Sequence, residues 1–207
     1  MVHPFSRDLL ALVAPRRCPG CDDPADCDVL CSTCVALTEP SNERGSVFVY
    51  GGPVADAIHR FKYDGRSELA TGLGSLMREA ALRLAGEVDV VVPVPLHWRR
   101  RRARGYDQAA LLAKPVARML GVPVRLRGLR RVRDTQSQVD LSHGERQRNV
   151  DGAFAPFRLR GARRILLVDD VRTTGATLEA ASRALKAGGA REVRTLVLAA
   201  RFLDGAT

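Results

Sequence analysis

The order of periodic segments predicts an α/β protein, a doubly wound and mostly parallel sheet preceded by a small zinc-ribbon module. Three observations carry that expectation. Apolar runs of strand length at 47–50, 89–95, 165–169 and 192–199 alternate with amphipathic runs of helix length. Ile165-Leu166-Leu167-Val168 is apolar without a break, the pattern of a strand covered on both faces. Ahead of all of them stand two Cys-x-x-Cys pairs.

Those pairs are Cys18-Pro19-Gly20-Cys21 and Cys31-Ser32-Thr33-Cys34, with nine residues between them. Each tight pair directs two thiolates at one ion, and two pairs complete a tetrahedral zinc site. So short a loop buries little apolar surface, so the metal is expected to supply most of its folding energy, a structural role. Cys27 is left over inside the loop. Residues 37–46, with Pro40, Ser41, Asn42 and Gly45, read as a linker, which divides the chain into a zinc module at 1–40 and a main domain at 47–207. With 207 residues there is material for one full core and a small appendage.

In the main domain, a strand at 47–50 leads to a helix at 53–63 with Val54, Ala57, Ile58 and Phe61 on one face. A second helix is expected at 67–84, then a strand at 89–95 and a helix at 108–120. A strand at 124–132 and a polar loop from Arg133 follow, with a short segment near 145–149. The strand at 165–169, a helix at 177–187 and a strand at 192–199 complete the pattern. In such sheets ligands sit beyond the carboxyl ends of the strands.

One strand end carries the clearest chemistry. The run Asp169-Asp170-Val171-Arg172-Thr173-Thr174-Gly175-Ala176-Thr177 is read as a strand ending in two carboxylates, then a hydroxyl-rich turn that opens a helix. Thr173, Thr174, Gly175, Ala176 and Thr177 offer backbone N–H groups and hydroxyls at a helix N-terminus, where the dipole favours a phosphate. Asp169 and Asp170 are acceptors for ribose hydroxyls or for magnesium, directly or through water. Phosphate on one side and sugar on the other describe a ribose-5-phosphate cradle. A Walker-type loop is excluded, because no Gly-Lys-Ser/Thr follows.

Lys and Arg number 33 against 23 Asp and Glu, giving a net charge of +10, and such a surplus points to a polyanionic partner. Its densest cluster, Arg99, Arg100, Arg101, Arg102 and Arg104, follows the 89–95 strand and runs into Gly105 and the next helix start. Arg104 and Gly105 are the candidates for contact with pyrophosphate, the other arginines less directly. Lys62-Tyr63 offers a cation and an aromatic face, readable equally as ligand contacts or as helix surface. No apolar run reaches the roughly eighteen residues of a membrane span, and the first twelve residues lack the apolar stretch of a secretory signal, so a cytoplasmic location is expected.

The Asp-Asp run resembles the signature of type I phosphoribosyltransferases, and the whole chain resembles the ComF family, the competence-protein or GntX group. The likeness rests on ordered words: the Cys-x-x-Cys pairs, His59-Arg60-Phe61-Lys62-Tyr63-Asp64-Gly65, Val92-Pro93-Val94-Pro95 and Arg104-Gly105-Tyr106-Asp107-Gln108. Thr135-Gln136-Ser137-Gln138, Arg146-Gln147-Arg148-Asn149-Val150, Ala153-Phe154 and the Asp-Asp motif continue the order. Asp107 stands where asparagine is expected and Arg172 where a small or apolar residue is commoner. The resemblance implies that Asp169 and Asp170 hold the ribose hydroxyls of phosphoribosyl pyrophosphate with magnesium, and that residues 173–177 wrap its 5-phosphate. The segment 133–149 resembles a mobile loop that covers such sites. The resemblance also implies natural competence, handling of incoming single-stranded DNA and competence proteins as partners. Two readings stay open: a transferase of unnamed acceptor, and a DNA-binding competence factor that uses the fold as a nucleotide sensor without turnover.

Overall fold

The computed structural model describes residues 17–25, 29–133, 150, 152–157, 159 and 161–201. Cys27, all but Arg133 of the expected lid at 133–149, and the first sixteen residues lie outside them. Four strands, β1 (Ser46–Val49), β2 (Val90–Pro93), β5 (Arg164–Arg172) and β6 (Glu192–Ala200), form one sheet in the order β1-β6-β5-β2, and every pair in it is parallel. Residues in β5 show why its apolar run is unbroken. Leu166 and Val168 face one buried cluster, with Val91, Leu196 and Leu198, while Ile165 and Leu167 face another, with Val90, Val92 and Val197. Both faces are covered, as a parallel sheet requires.

Helix α1 (Ser32–Ala36) lies in the cysteine segment, and the first face is covered by α2 (Gly52–Tyr63), α3 (Leu69–Leu76), α4 (Arg78–Leu82) and α6 (Gln108–Leu120). α2 buries Val54, Ala57, Ile58 and Phe61, the stripe read from the sequence, and the two largest contribute about 1.5–3 kcal/mol each. The second face is covered by α7 (Ala176–Ala187) and by the antiparallel pair β3 (Leu129–Arg131) and β4 (Phe154–Pro156). α6 begins where Asp107 caps it, accepting from the Ala110 N–H, and ends at Gly121 in the left-handed conformation.

Several elements depart from their expected bounds. The helix expected at 67–84 is broken at fully buried Met77 into α3 and α4. The strand expected at 124–132 is divided. Val124 pairs in parallel with Val91 at the sheet edge, the chain turns at Gly128, and β3 then joins β4 instead. A Cβ on Gly128 would stand 2.9 Å from Val92, so the turn needs glycine to pass that close. The basic run 99–102, between the expected strand at 89–95 and the expected helix at 108–120, is itself helical: α5 spans Trp98–Arg104 with no buried residue and ends on Gly105 at φ 82°. The expected linker is paired: the Val49 N–H donates to Glu39 O at 2.8 Å and the Ser41 N–H to Val47 O at 2.9 Å, covering the outer edge of β1.

Candidate functional site

The cysteine knuckle is assembled against α2 rather than apart from it. Cys18, Leu30 and Cys34 are buried in the same cluster as Val54, Ile58 and Phe61. Arg60 Nη1 on α2 donates to Pro19 O at 2.8 Å and to Gly20 O, and Arg66 Nη1 donates to Asp22 Oδ1 at 3.0 Å. The Sγ atoms of Cys18, Cys21, Cys31 and Cys34 all lie within 4.8 Å of one another, with Cys21 and Cys31 3.9 Å apart. A tetrahedral ion with metal–sulfur bonds of about 2.3 Å places its ligands about 3.8 Å apart, so the set fits such an ion. Burial opposes a thiolate at Cys18, but N–H groups of Cys31, Cys21 and Gly20 bring that thiol down to about 6. The Cys31 N–H···Sγ distance is 3.2 Å. Burial, with the other sulfurs close by, pushes Cys34 up. Four sulfurs this close ionise together only around a cation, which is the chemistry of a metal knuckle.

At the acidic motif the strand does not stop at Asp169. β5 continues to Arg172 because Val171 and Arg172 still pair with Ala199 and Ala200. Both aspartates are therefore strand residues, and successive side chains leave a strand on opposite faces. Asp170, 7% exposed, turns toward α2 and meets Lys62 Nζ at 2.8 Å. Asp169 is half-buried, and its Oδ1 accepts from the Asp170 N–H at 2.9 Å. Burial, then the neighbouring Asp170 charge, raises Asp169 to about 8 against the opposing pull of Lys62. For Lys62 burial disfavours the charge, yet Asp170 and then Asp169 outweigh it and hold the ammonium above its ordinary value.

The 173–177 turn opens α7. Gly175 at φ 82° caps α7, a conformation glycine adopts without strain, and its carbonyl accepts from the Glu179 N–H at 2.9 Å. Thr173, Thr174 and Thr177 are half-buried and Ala176 is buried. Arg172, the departure in the motif, forms an ion pair with Glu43 and donates to Arg44 O at 3.3 Å, which ties the 37–46 segment to the start of this loop.

The second strand end meets the same region. Asp107 receives the Leu96 N–H at 3.0 Å and the Ala110 N–H at 3.1 Å. Burial raises its pKa against those two bonds, and Asp170 adds to the rise. Tyr106 donates its hydroxyl to Phe61 O, so α2 is held from this side as well. Arg104 donates to Gln108 Oε1 at 3.2 Å and stacks 4.8 Å over the exposed ring of Tyr63. Gly105 serves as the left-handed cap of α5, which by itself accounts for glycine there. Lys62 and Asp107 are the contributors that motif reading did not settle. The signal for Lys62 was a lone cation beside an apolar helix stripe, and its partner lies 108 positions away.

Residues 106–203 match the phosphoribosyl transferase domain family. The chain is 34% identical over 187 residues to the DNA utilization protein YhgH of Salmonella typhi, covering 87% of this chain and 82% of that one. It is 33% identical over 181 residues to competence protein F of Haemophilus influenzae, covering 82% and 77%. Among solved structures, the glutamine phosphoribosylpyrophosphate amidotransferase of B. subtilis is 24% identical over 67% of this chain and 30% of that one, with a TM-score of 0.47. That last likeness is too loose to say anything of the site. Among the described residues no helix is long and apolar enough to cross a membrane. On the strength of its relatives over most of its length, the chain belongs to the ComF competence-protein family, on a phosphoribosyltransferase-like fold.

Proposed function

We propose that the chain binds phosphoribosyl pyrophosphate with magnesium where β5 meets α7, and serves natural competence by handling incoming DNA. The observation that carries this is the continuity of β5, Asp169 and Asp170 with the Gly175-capped N-terminus of α7: sugar acceptors and phosphate donors on one stretch of backbone. Asp169 and Asp170 accept the ribose hydroxyls. Thr173, Thr174, Gly175, Ala176 and Thr177 surround the 5-phosphate, and Arg104 with Gly105 faces the pyrophosphate. Magnesium, when bound with the ligand, neutralises pyrophosphate charge. Zinc at Cys18, Cys21, Cys31 and Cys34 holds the knuckle on α2. Relatives named for competence and DNA utilization support the cellular role.

Calorimetric titration of phosphoribosyl pyrophosphate and magnesium into wild type and Asp169→Asn/Asp170→Asn tests the pocket. Asparagine is preferred to alanine because its amide oxygen still accepts from Lys62. Wild-type binding that disappears in the folded, zinc-loaded variant supports the reading; identical binding by both removes it. Transferase turnover is then read as pyrophosphate release with candidate acceptors.

A second reading is favoured by α5. Its residues are exposed or half-buried, five of its seven are arginine, and Trp98 at its start is 62% exposed. A cationic helix with an open ring suits the backbone and bases of single-stranded DNA. On this reading DNA affinity falls steeply with salt and survives the double asparagine change.

A further inference from the structure

We propose that Lys62 determines what the Asp169–Asp170 step accepts: it rejects bare divalent cations and leaves the carboxylates to read sugar hydroxyls. The inference rests on the ribose reading above.

The lysine is seated on the acidic strand before any ligand arrives. Its Nζ is 2.8 Å from Asp170 Oδ1, and the two side chains are 19% and 10% exposed, so little water screens the pair. A magnesium-like ion bound to that oxygen at about 2.1 Å stands within about 5 Å of the ammonium, a close approach of like charges. A hydroxyl is neutral and meets no such opposition. A carboxylate offers about four lone-pair sites, so Asp170 takes a sugar O–H without giving up Lys62. Placement adds to charge. Asp169 leaves β5 on the opposite face from Asp170 and is half-buried, its Oδ1 accepting from the Asp170 N–H at 2.9 Å. Among the described residues, the cysteine knuckle is the one place where three or more His, Cys, Asp or Glu ligand atoms gather closely enough for a metal. A divalent ion therefore reaches this step as cargo of the pyrophosphate, whose negative charge offsets the lysine, and not as a resident of the protein.

The test follows uptake of Mn2+ by loss of its free-ion electron paramagnetic resonance signal, in phosphate-free buffer with zinc-loaded protein. Wild type and Lys62→Arg are expected to take up no Mn2+ at this site below millimolar concentrations. Lys62→Gln gains a site at least about tenfold tighter, the scale on which one poorly screened charge acts. Adding Asp170→Asn to Lys62→Gln abolishes the gain, and phosphoribosyl pyrophosphate restores metal uptake to wild type. A folded Lys62→Gln protein without the gain overturns the proposal. So does wild type that binds Mn2+ alone and loses it on Asp170→Asn. That wild-type comparison decides the matter by itself if Lys62→Gln fails to fold, equal and weak uptake by both proteins supporting the proposal. If phosphoribosyl pyrophosphate does not bind while Lys62→Gln still gains metal, the ligand reading falls and the exclusion of cations by lysine stands.

Discussion

Gly20→Ala is a small perturbation with a specific target. A Cβ at this position would lie 2.8 Å from Pro53 Cβ on α2, 2.9 Å from Cys34 Sγ and 3.1 Å from Leu30 Cδ2. Ordinary contact begins at 3.4 Å, so the two nearest neighbours must yield by about 0.5–0.6 Å. A zinc site holds its ligands to within about 0.2 Å, so moving Cys34 that far exceeds the tolerance of the knuckle. Moving Pro53 displaces the start of α2. Overpacking of this kind costs about 1–3 kcal/mol, and no backbone strain contributes, since Gly20 is absent from the positive-φ glycines. The assay is transfer of zinc to a chromogenic chelator, followed alongside thermal unfolding. The variant is expected to release zinc faster and to melt several degrees lower. Zinc release and melting identical to wild type would show that the knuckle does not seat on α2 as described.

Three further outcomes can be measured. Gly74 on α3 faces Pro115 in α6, where a Cβ would stand 2.4 Å from Pro115 Cγ; Gly74→Ala should lower stability by about 1–3 kcal/mol in denaturant unfolding, and an unchanged midpoint would discount that contact. Asp169 has its folded pKa raised to about 8 from 3.8, so its contribution is fully present below the lower value and is lost as pH rises through the higher one. Melting of Asp169→Asn should therefore gain on wild type between pH 4 and 8, by at most about 1.4 kcal/mol per pH unit; a pH-independent difference would sink the assignment. Asp170→Ala leaves the shielded Lys62 ammonium without its carboxylate and should cost about 3–5 kcal/mol, whereas Lys62→Met/Asp170→Leu should recover much of the loss in the same unfolding assay.

The parts of the fold that were legible in the sequence are those governed by local rules. α6 keeps its expected bounds because Asp107 and Gly121 mark its ends. β5 was visible because burial on both faces leaves an apolar run. Two of the misses share a cause, which is pairing or packing between distant segments. Nothing in Val171-Arg172 states that the strand continues; Ala199 and Ala200 across from them do. Met77 breaks a helix at a buried position whose surroundings come from elsewhere. α5 has no apolar stripe to give it away, since it buries no residue, and Gly105 at its end is its one local signal. The candidate site divides in the same way. The Asp-Asp and Thr-Thr-Gly words were legible, while the partners of Asp170 and Arg172, which are Lys62 and Glu43, lie on segments more than a hundred residues earlier.

One turn of α2 fixes how the two ends of this protein can change over evolution. Phe61 points into the core, and Arg60 and Lys62 stand about 100° to either side of it, one gripping the carbonyls of the knuckle and the other Asp170. Inserting or deleting a single residue between them would rotate one grip away from its partner. The spacing between the metal knuckle and the acidic strand is thus counted in helix residues, and drift in either end must respect that count.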